Sequence, residues 1–344
     1  MSYRYLCLLA AGLLSTTMAS AQTSAPPSAT SSPIAFAIHG GAGTILKSRM
    51  TPEGEAHIRA GLTEALTTGY AILQRGGSAV DAVEAAIRVL EDSPYFNAGK
   101  GAVATSAGTF ELDAAIMDGS TLQAGSVAGL KHIKNPISLA KLVMQHSPHV
   151  MMIGDGAEVF AMSQGIDTVP NSYFRTETRW HQYEHMRDSV AGTLPKSSYN
   201  DPAIEKKYGT VGAVALDREG HLAAGTSTGG TAFKRWGRVG DSPIIGAGTY
   251  ASNASGCAVS ATGTGEYFIR NVVAADICKR VEYLHESIDS AATYVVMRKL
   301  VAQHGDGGVI AMDSRGHVVQ PFNTEGMYRG YIDANGKPVA ELYK

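Results

Sequence analysis

The stretch Gly209-Thr210-Val211-Gly212-Ala213-Val214-Ala215-Leu216-Asp217 joins a glycine–threonine pair directly to an apolar run. Residues 210–216 predict a buried strand, and residues 222–227 predict a second one, paired with it across a tight turn. If the chain were cut between Gly209 and Thr210, the threonine would gain a free α-amine. The pKa of such an amine is about 7.7–8.0, so much of it is neutral near pH 7 and can take the proton of the neighbouring hydroxyl. From the pair alone, the alternative is an ordinary strand start.

The chain on either side of this stretch alternates helices with strands. Upstream, the spacing of apolar residues predicts strands over residues 34–38 and 110–117 and helices over 51–74, 78–90, 136–145 and 157–164. Downstream it predicts helices over 266–284 and 287–303 and a hairpin of residues 309–313 and 318–322. Residues 166–209 are polar and contain three prolines, which predicts an exposed linker. This order favours an α+β fold, with helices layered on antiparallel sheets, over a parallel doubly wound sheet.

The first residues resemble an export signal rather than a part of the fold. Residues 1–21 contain Arg4, a short apolar run and the small-residue site Ala19-Ser20-Ala21, so we expect a signal peptide. Residues 22–33 are rich in Ser, Thr, Pro and Ala, and we expect a disordered lead-in. No later apolar stretch is long enough to span a bilayer. A bacterial periplasm is therefore the expected location, with no membrane association after signal removal.

Charge and cysteine content exclude several classes of protein. The 344 residues carry 29 Lys and Arg against 31 Asp and Glu, which argues against nucleic acid as a partner. Three cysteines cannot build a disulfide scaffold, and one of them lies in the signal. Because Cys278 falls within a predicted helix, we expect Cys257 and Cys278 to be two buried thiols, although pairing is conceivable in an oxidising compartment. The run from His181 to His185 spells H-x-x-E-H, but without an evident third ligand we do not expect a metal site.

Three glycine-rich loops after residue 225 carry groups suited to a small zwitterion. The stretch Thr226-Ser227-Thr228-Gly229-Gly230 places hydroxyls at a strand end. Arg238 and Asp241 lie three residues apart, and they can bind an α-carboxylate and an α-ammonium, or form an ordinary surface ion pair. The run from Ala261 to Glu266 opens a helix, where backbone N–H groups and the Thr262 hydroxyl could stabilise an oxyanion. A phosphate loop is the alternative there, but no P-loop lysine follows.

Taken in order, the motifs of this chain resemble the plant-type asparaginase / isoaspartyl peptidase family of N-terminal nucleophile hydrolases. They are His39-Gly40-Gly41-Ala42-Gly43, Phe96-Asn97-Ala98-Gly99, Glu111-Leu112-Asp113-Ala114, Met117-Asp118-Gly119, the stretch from Gly209 to Asp217, and the stretches 226–230, 237–241, 262–265 and 321–327.

The resemblance implies a four-layer αββα sandwich made as one precursor that cleaves itself before Thr210. It would give an α subunit over residues 34–209, with the linker at its end, and a β subunit over residues 210–344, associated as a dimer of αβ heterodimers. The implied substrates are L-asparagine and isoaspartyl dipeptides, with no cofactor needed for catalysis. A glycosylasparaginase-like hydrolase is the alternative enzyme, and a secreted amino-acid-binding protein without catalysis is the alternative from another class.

The resemblance also implies roles for individual residues. Thr210 would be nucleophile and base, Thr228 its contact and Asn97 its neighbour. Arg238 and Asp241 would hold the substrate, Thr262 and Gly263 would form the oxyanion hole, and Gly265 lies in the same loop. A structural sodium ion is implied on backbone carbonyls of Leu90, Glu91, Ser93, Phe96, Ala98 and Lys100. Lys100 stands where the family commonly has an apolar residue, and its ammonium would weaken cation binding if it pointed inward.

Overall fold

The computed structural model of this chain describes residues 33–190 and 209–344. The predicted signal peptide lies outside the described residues, as do residues 22–32 of the predicted lead-in. Among the helices of the described ranges, none combines the length and the apolar character that a membrane crossing requires. The described ranges contain both residues of the Gly209–Thr210 bond.

The fold mixes helices with two β-sheets, as the alternating pattern predicts. The helices are α1 (Pro52–Gln74), α2 (Ala79–Asp92), α3 (Pro136–His146), α4 (Gly154–Ser163), α5 (Glu177–Val190), α6 (Gly265–Asn271), α7 (Val273–Leu284) and α8 (Ile288–Tyr294). The strands are β1 (Ala35–Gly43), β2 (Leu112–Asp118), β3 (Ala124–Leu130), β4 (Met151–Ile153), β5 (Val211–Leu216), β6 (Leu222–Thr228), β7 (Thr249–Ser252), β8 (Cys257–Gly263), β9 (Gly307–Asp313), β10 (Val318–Val319), β11 (Gly326–Ile332) and β12 (Pro338–Tyr343).

The larger sheet has the hairpin β5–β6 near its centre. Its strand order is β12-β11-β1-β5-β6-β2-β3-β4, and the smaller sheet has the order β10-β9-β8-β7. Leu216 pairs with Leu222 across the predicted turn, which confirms the hairpin. On the other side β1 pairs antiparallel with β5 and brings His39 opposite Gly212. The start of β5, where Thr210 lies, is thus held between two strands.

Three apolar cores separate the layers. The largest lies between the large sheet and helices α1, α2 and α3, with side chains such as Phe36, Leu62 and Ile87 fully buried. A second core joins the two sheets and is rich in small residues, including Ala37, Ala224 and Ala258. The third packs α7 and α8 on β8 and β9. Small side chains allow the sheets to approach closely, so polar groups from both sheets can meet at one end of the middle core.

The first two helices begin where the sequence predicts. The Thr51 hydroxyl accepts the Gly54 N–H at 3.1 Å and Pro52 occupies the first turn of α1, where a missing N–H costs nothing. The Ser78 hydroxyl accepts the Asp81 N–H at 3.1 Å at the start of α2. The helix predicted over residues 266–284 is instead two helices, because Val272 takes a left-handed φ of 44° between them.

Part of the predicted linker has regular structure. Residues 171–174 form a short 3-10 turn that buries Phe174, and α5 follows it. The Arg179 Nε donates to the Gly101 carbonyl at 2.8 Å, so α5 is tied to the body of the protein. Residues 171–190 of the predicted exposed linker thus contain a 3-10 turn and a helix, which the polar composition did not reveal. Residues 191–208 lie outside the described residues, and their part in a linker stays a prediction.

Cys257 and Cys278 form a disulfide, so the prediction of two buried thiols is wrong. The reason is geometric. Cys257 opens β8 and Cys278 lies on the face of α7 that packs on β8, and their Cα atoms are 5.4 Å apart. A position within a helix does not prevent pairing when that helix face covers the partner strand.

Candidate active site

The Thr210 side chain lies at the edge of the middle core, where β5 begins. The residue is 8% exposed, and its Oγ1 donates a hydrogen bond to the Thr228 Oγ1 at 3.0 Å. Thr228 ends β6, and the pairing of Val211 with Ser227 brings the two threonines side by side. The Thr228 oxygen also accepts the Gly230 N–H at 2.9 Å, which fixes its orientation. The structure thus brings the predicted nucleophile and its predicted contact together.

Asn97 joins the residue before the bond predicted to break to the loop that follows β6. Its backbone N–H donates to the Gly209 carbonyl at 3.0 Å, and its side-chain Nδ2 donates to the Gly230 carbonyl at 2.7 Å. Its Oδ1 accepts the Val103 N–H at 2.9 Å. Asn97 is 1% exposed, so these bonds are shielded from water. Asn97 thus contacts Gly209, the residue that precedes the predicted nucleophile.

Arg238 and Asp241, which we call the clamp, lie on the loop between β6 and β7. The Arg238 Nε and Nη2 atoms donate to the two carboxylate oxygens of Glu266 at 2.9 and 3.0 Å. This pair is not the Arg238–Asp241 surface pair considered from the sequence. Because Glu266 occupies one edge of the guanidinium, the Nη1 edge is the one left for another anion.

The Asp241 carboxylate is buried without a full set of partners. The residue is 4% exposed, and its Oδ2 has no hydrogen-bond partner among the described residues. Burial raises the pKa of Asp241 to about 7, and the nearby Arg238 guanidinium opposes that rise only in part. A buried carboxylate with an unsatisfied oxygen is costly unless a cationic group binds it. The unsatisfied oxygen therefore leaves the Asp241 carboxylate open to a cationic partner.

These side chains surround one narrow pocket. Its lining residues are Thr210, Thr228, Gly230, Thr231, Arg238, Gly240, Asp241, Ser242 and Gly263. Thr262 lies just behind Gly263 at the end of β8, with its Oγ1 accepting the Ala42 N–H at 3.2 Å. Gly265 leaves room for the clamp, because a β-carbon there would lie 2.8 Å from the Arg238 Nη2 and 2.9 Å from the Asp241 Oδ1. The pocket unites a buried hydroxyl, a guanidinium, a carboxylate and a glycine backbone.

Comparison with known proteins assigns the chain to a family. The chain matches the asparaginase family over residues 32–341. The chain belongs to that family. It is therefore a hydrolase, and the resemblance of its motifs is confirmed.

Several relatives cover this asparaginase-family chain nearly from end to end. An isoaspartyl peptidase of Escherichia coli is 51% identical over 310 residues, which is 90% of this chain and 96% of that protein. A probable isoaspartyl peptidase/L-asparaginase 2 of Arabidopsis thaliana is 40% identical over 88% of this chain and 96% of its own length. A plant-type L-asparaginase of Pyrococcus furiosus is 43% identical over 87% of this chain and 96% of its own length.

The loop implied to hold sodium folds back on the end of α2. A β-carbon at Gly99 would overlap the Glu91 carbonyl oxygen, so main chain packs directly on main chain here. The Leu90 and Ala98 carbonyls each accept one N–H, at 3.3 and 3.1 Å, and each keeps a second lone pair. Neutral backbone oxygens suit a hard cation, so the donor set fits sodium. The Lys100 Nζ lies 5.4 Å from the centre of the Tyr173 ring, a cation–π contact.

The H-x-x-E-H run lies on α5, and none of its five residues lines the pocket. The His181 Nδ1 is 3.5 Å from the Glu184 Oε2, and the His181 side chain is 75% exposed. Within residues 33–190 and 209–344, no group of three or more His, Cys, Asp or Glu side chains is placed to hold a metal ion.

Sequence reasoning missed three side chains that contact the site residues. His39 bonds to the Thr210 carbonyl, Ser260 bonds to His39, and Glu266 pairs with Arg238. The Glu91 side chain, considered only for its carbonyl, accepts the Ser227 hydroxyl at 2.6 Å, and burial raises the pKa of Glu91 to about 8. The one signal in the sequence was a histidine directly after the strand predicted over residues 34–38, since its partners lie up to 221 residues away in sequence.

Proposed function

We propose that this chain is a threonine-nucleophile amidohydrolase. It cleaves isoaspartyl dipeptides and the side-chain amide of L-asparagine, and it releases L-aspartate. One observation carries the proposal: the Thr210 hydroxyl, the Arg238 guanidinium and the Asp241 carboxylate line a single pocket. The names of relatives that are 40–51% identical point to the same two substrates.

Substrate recognition follows from the charges of the clamp. The free α-carboxylate binds the Nη1 side of Arg238, and the free α-ammonium pairs with the unsatisfied oxygen of Asp241. These two contacts fix the Cα of the substrate and direct its side-chain carbonyl to Thr210. An internal isoaspartyl bond lacks one of the free α-groups, so only terminal isoaspartyl residues with unblocked α-groups are good substrates.

The chemical step needs a general base that accepts the proton of the attacking hydroxyl. The Thr210 Oγ1 attacks the side-chain carbonyl carbon, and the α-amine of a cleaved Thr210 takes the hydroxyl proton. The tetrahedral oxyanion is stabilised by the Thr262 hydroxyl and the Gly263 backbone N–H. The C–N bond then breaks, the amine returns the proton to the leaving ammonia or amino acid, and a β-aspartyl ester remains on Thr210. Water, activated by the same amine, hydrolyses this ester and releases L-aspartate.

The amine must first be freed by self-cleavage between Gly209 and Thr210. In the intact chain the Asn97 N–H donates to the Gly209 carbonyl, which polarises the carbonyl that Thr210 Oγ1 would attack. This attack breaks the C–N bond between Gly209 and Thr210, the hydroxyl proton passes to the departing amine, and water then hydrolyses the resulting ester. The products are an α subunit that ends at Gly209 and a β subunit over residues 210–344.

The wider organisation follows the family. The packing of α1–α3, the large sheet, the small sheet and α7–α8 supports a four-layer αββα sandwich. Association of two αβ pairs and export to a periplasm complete the proposal. The disulfide between Cys257 and Cys278 supports an oxidising compartment. A sodium ion on the backbone carbonyls of the loop from Leu90 to Lys100 would stiffen the segment that carries Asn97, without a part in the reaction.

The test is aspartate release by the purified protein. Wild-type protein should release L-aspartate from a β-aspartyl dipeptide and from L-asparagine, while Thr210→Ala should remain a single chain and release none. Thr67→Ala, an exposed threonine on α1, is the matched control and should behave as wild type. Aspartate release by Thr210→Ala at the wild-type rate would contradict the proposal.

The same assay separates the alternatives. A glycosylasparaginase-like enzyme would hydrolyse a glycoasparagine faster than a β-aspartyl dipeptide. A binding protein without catalysis would bind L-asparagine but release no aspartate, and it does not fit the family assignment.

A further inference from the structure

His39 is a buried histidine with both ring nitrogens engaged. It is 0% exposed, its Nδ1 lies 3.0 Å from the Thr210 carbonyl oxygen, and its Nε2 lies 2.9 Å from the Ser260 hydroxyl. A carbonyl oxygen can only accept, so the Nδ1 must carry the proton. The Nε2 is then an acceptor, and Ser260 donates to it. The hydrogen bonds therefore select one tautomer.

The serine that selects this tautomer belongs to a chain of hydroxyls between the two sheets. The Ser260 oxygen lies 2.7 Å from the Thr226 Oγ1, which in turn lies 2.7 Å from the Thr249 Oγ1. These three residues are fully buried. Because the Ser260 proton is committed to His39, only the Thr226 hydroxyl can donate in this contact, and it shares its proton between the Ser260 oxygen and the Gly248 carbonyl, which lies 3.0 Å away. The Ser260 hydroxyl is thus held from both sides and is not free to turn away from His39.

Gly212 makes the space for this arrangement. It lies opposite His39 in the pairing of β1 with β5. A β-carbon at Gly212 would overlap both the Ser260 Oγ and the His39 Nε2, so any other residue would push the two apart. Gly212 therefore permits the contact between His39 and Ser260.

The imidazole does not act on the reacting hydroxyl. The Thr210 Oγ1 donates to Thr228, whereas His39 touches only the Thr210 carbonyl. Burial lowers the pKa of His39 to about 3, so the ring stays neutral wherever the protein is folded and active. A neutral ring with one fixed N–H serves as a rigid donor, not as a proton carrier.

We propose that His39 is a positioning residue for the nucleophile. Its Nδ1–H holds the Thr210 carbonyl, and Ser260 fixes the tautomer, so that the hydroxyl and the amine of Thr210 face the clamped substrate. The proposal rests on the function proposed above, because it concerns the geometry of the same nucleophile. It assigns to His39 and Ser260 an effect on the rate of the chemical step and none on substrate binding, which the clamp supplies.

Two variants separate the two ring nitrogens. In His39→Asn the side-chain Nδ2 can take the place of Nδ1 and donate to Thr210, but the bond to Ser260 is lost. In His39→Gln the side chain can reach Ser260, but no donor is left for Thr210. Each is prepared with wild-type protein, and the fraction of chain with an N-terminal Thr210 is measured, so that kcat refers to cleaved enzyme alone.

The expected result is a difference in kcat at constant KM. His39→Gln should lower kcat by about tenfold to 100-fold, since a displacement of the nucleophile by an ångström has effects of that size. His39→Asn should stay within about threefold of wild type, and KM should move less than about twofold in both. If kcat fell equally in the two variants and in proportion to their loss of thermal stability, His39 would have a purely structural role and the proposal would be overturned.

Two further measurements keep the test decisive. If His39→Gln does not fold, Ser260→Ala leaves the imidazole in place and removes its fixed partner. That variant should lower kcat severalfold at unchanged KM, and a wild-type kcat would contradict the proposal. If wild-type protein itself is neither cleaved nor active, the proposed function has failed, and the role of His39 fails with it. If wild type is active and the variants do not differ, only the role of His39 has failed.

Discussion

The two ends of the pocket are built in opposite ways. The nucleophile region, which consists of Thr210, Thr228 and His39, is buried and uncharged, and each of its side-chain polar atoms has a hydrogen-bond partner. The clamp is charged, and one of its carboxylate oxygens has no partner among the described residues. The side chain of Glu266, which supports Arg238, is 57% exposed.

The difference reflects two requirements: the nucleophile region must be rigid, and the clamp must keep a binding group without a partner until the substrate arrives. A nucleophile reacts well only when it is held in one geometry, so its neighbours satisfy it fully. A binding group gains affinity when the ligand supplies a missing partner, and Asp241 lacks one until a substrate ammonium arrives. Variants of the nucleophile region should therefore change kcat, and variants of the clamp should change KM.

The largest effect is expected in the nucleophile region. Thr228→Val keeps the shape of the side chain and removes the oxygen that accepts the Thr210 hydroxyl, so kcat on a β-aspartyl dipeptide should fall about 100-fold at unchanged KM. Thr228→Ser restores the oxygen and should recover most of the rate. A rise in KM without loss of kcat in Thr228→Val would remove the distinction between the two ends.

The next effect is expected in the clamp. Asp241→Asn has nearly the same shape but no charge, so KM for L-asparagine should rise about 30-fold while kcat changes little. Succinamate, which is L-asparagine without its α-amine, is the matched control substrate. The variant and wild type should hydrolyse succinamate with similar kcat/KM. An equal penalty on both substrates would show that Asp241 does not bind the amine.

A smaller effect should appear in the pH dependence. Burial raises the pKa of Asp241 to about 7, so below pH 7 its carboxyl becomes protonated and cannot pair with an ammonium. As the pH is lowered below 7, kcat/KM, which reports the free enzyme, should therefore fall more steeply than kcat. The difference between the two slopes should reach about tenfold per pH unit. In Asp241→Asn this extra acid limb should disappear. Its persistence in the variant would assign the limb to another group, such as the Thr210 amine.

The smallest effect on activity is expected at the disulfide, which lies outside both ends of the pocket. Replacement of both Cys257 and Cys278 by alanine opens a disulfide that closes a separation of 21 residues. The free energy of unfolding should fall by about 3 kcal/mol, measured by denaturant titration. Neither kcat nor KM should change at 25 °C, because neither residue touches the pocket. If the cleaved and folded variant lost activity, the packing of α7 on β8 would be shown to affect Thr262 and Gly263 at the end of β8.

The sequence predicted local structure well and side-chain partnerships poorly. The β5–β6 hairpin and the starts of α1 and α2 follow from local signals, namely turn residues and caps, and the family motifs indicated Asn97, whose backbone N–H bonds the Gly209 carbonyl. The disulfide, helix α5 and the pairing of Arg238 with Glu266 depend on which faces meet in three dimensions. His39 is the clearest example, because its role depends on Gly212 and on Ser260, which lies on the other sheet.

The central claim is tested most directly by the N-terminus of the mature protein. Freshly purified wild type should yield two polypeptides by intact-mass analysis, and N-terminal sequencing of the smaller should begin Thr210-Val211-Gly212. Hydrolysis of β-aspartyl dipeptides should rise in proportion to the fraction cleaved. A protein that stays in one piece and hydrolyses these dipeptides at full rate would contradict the account.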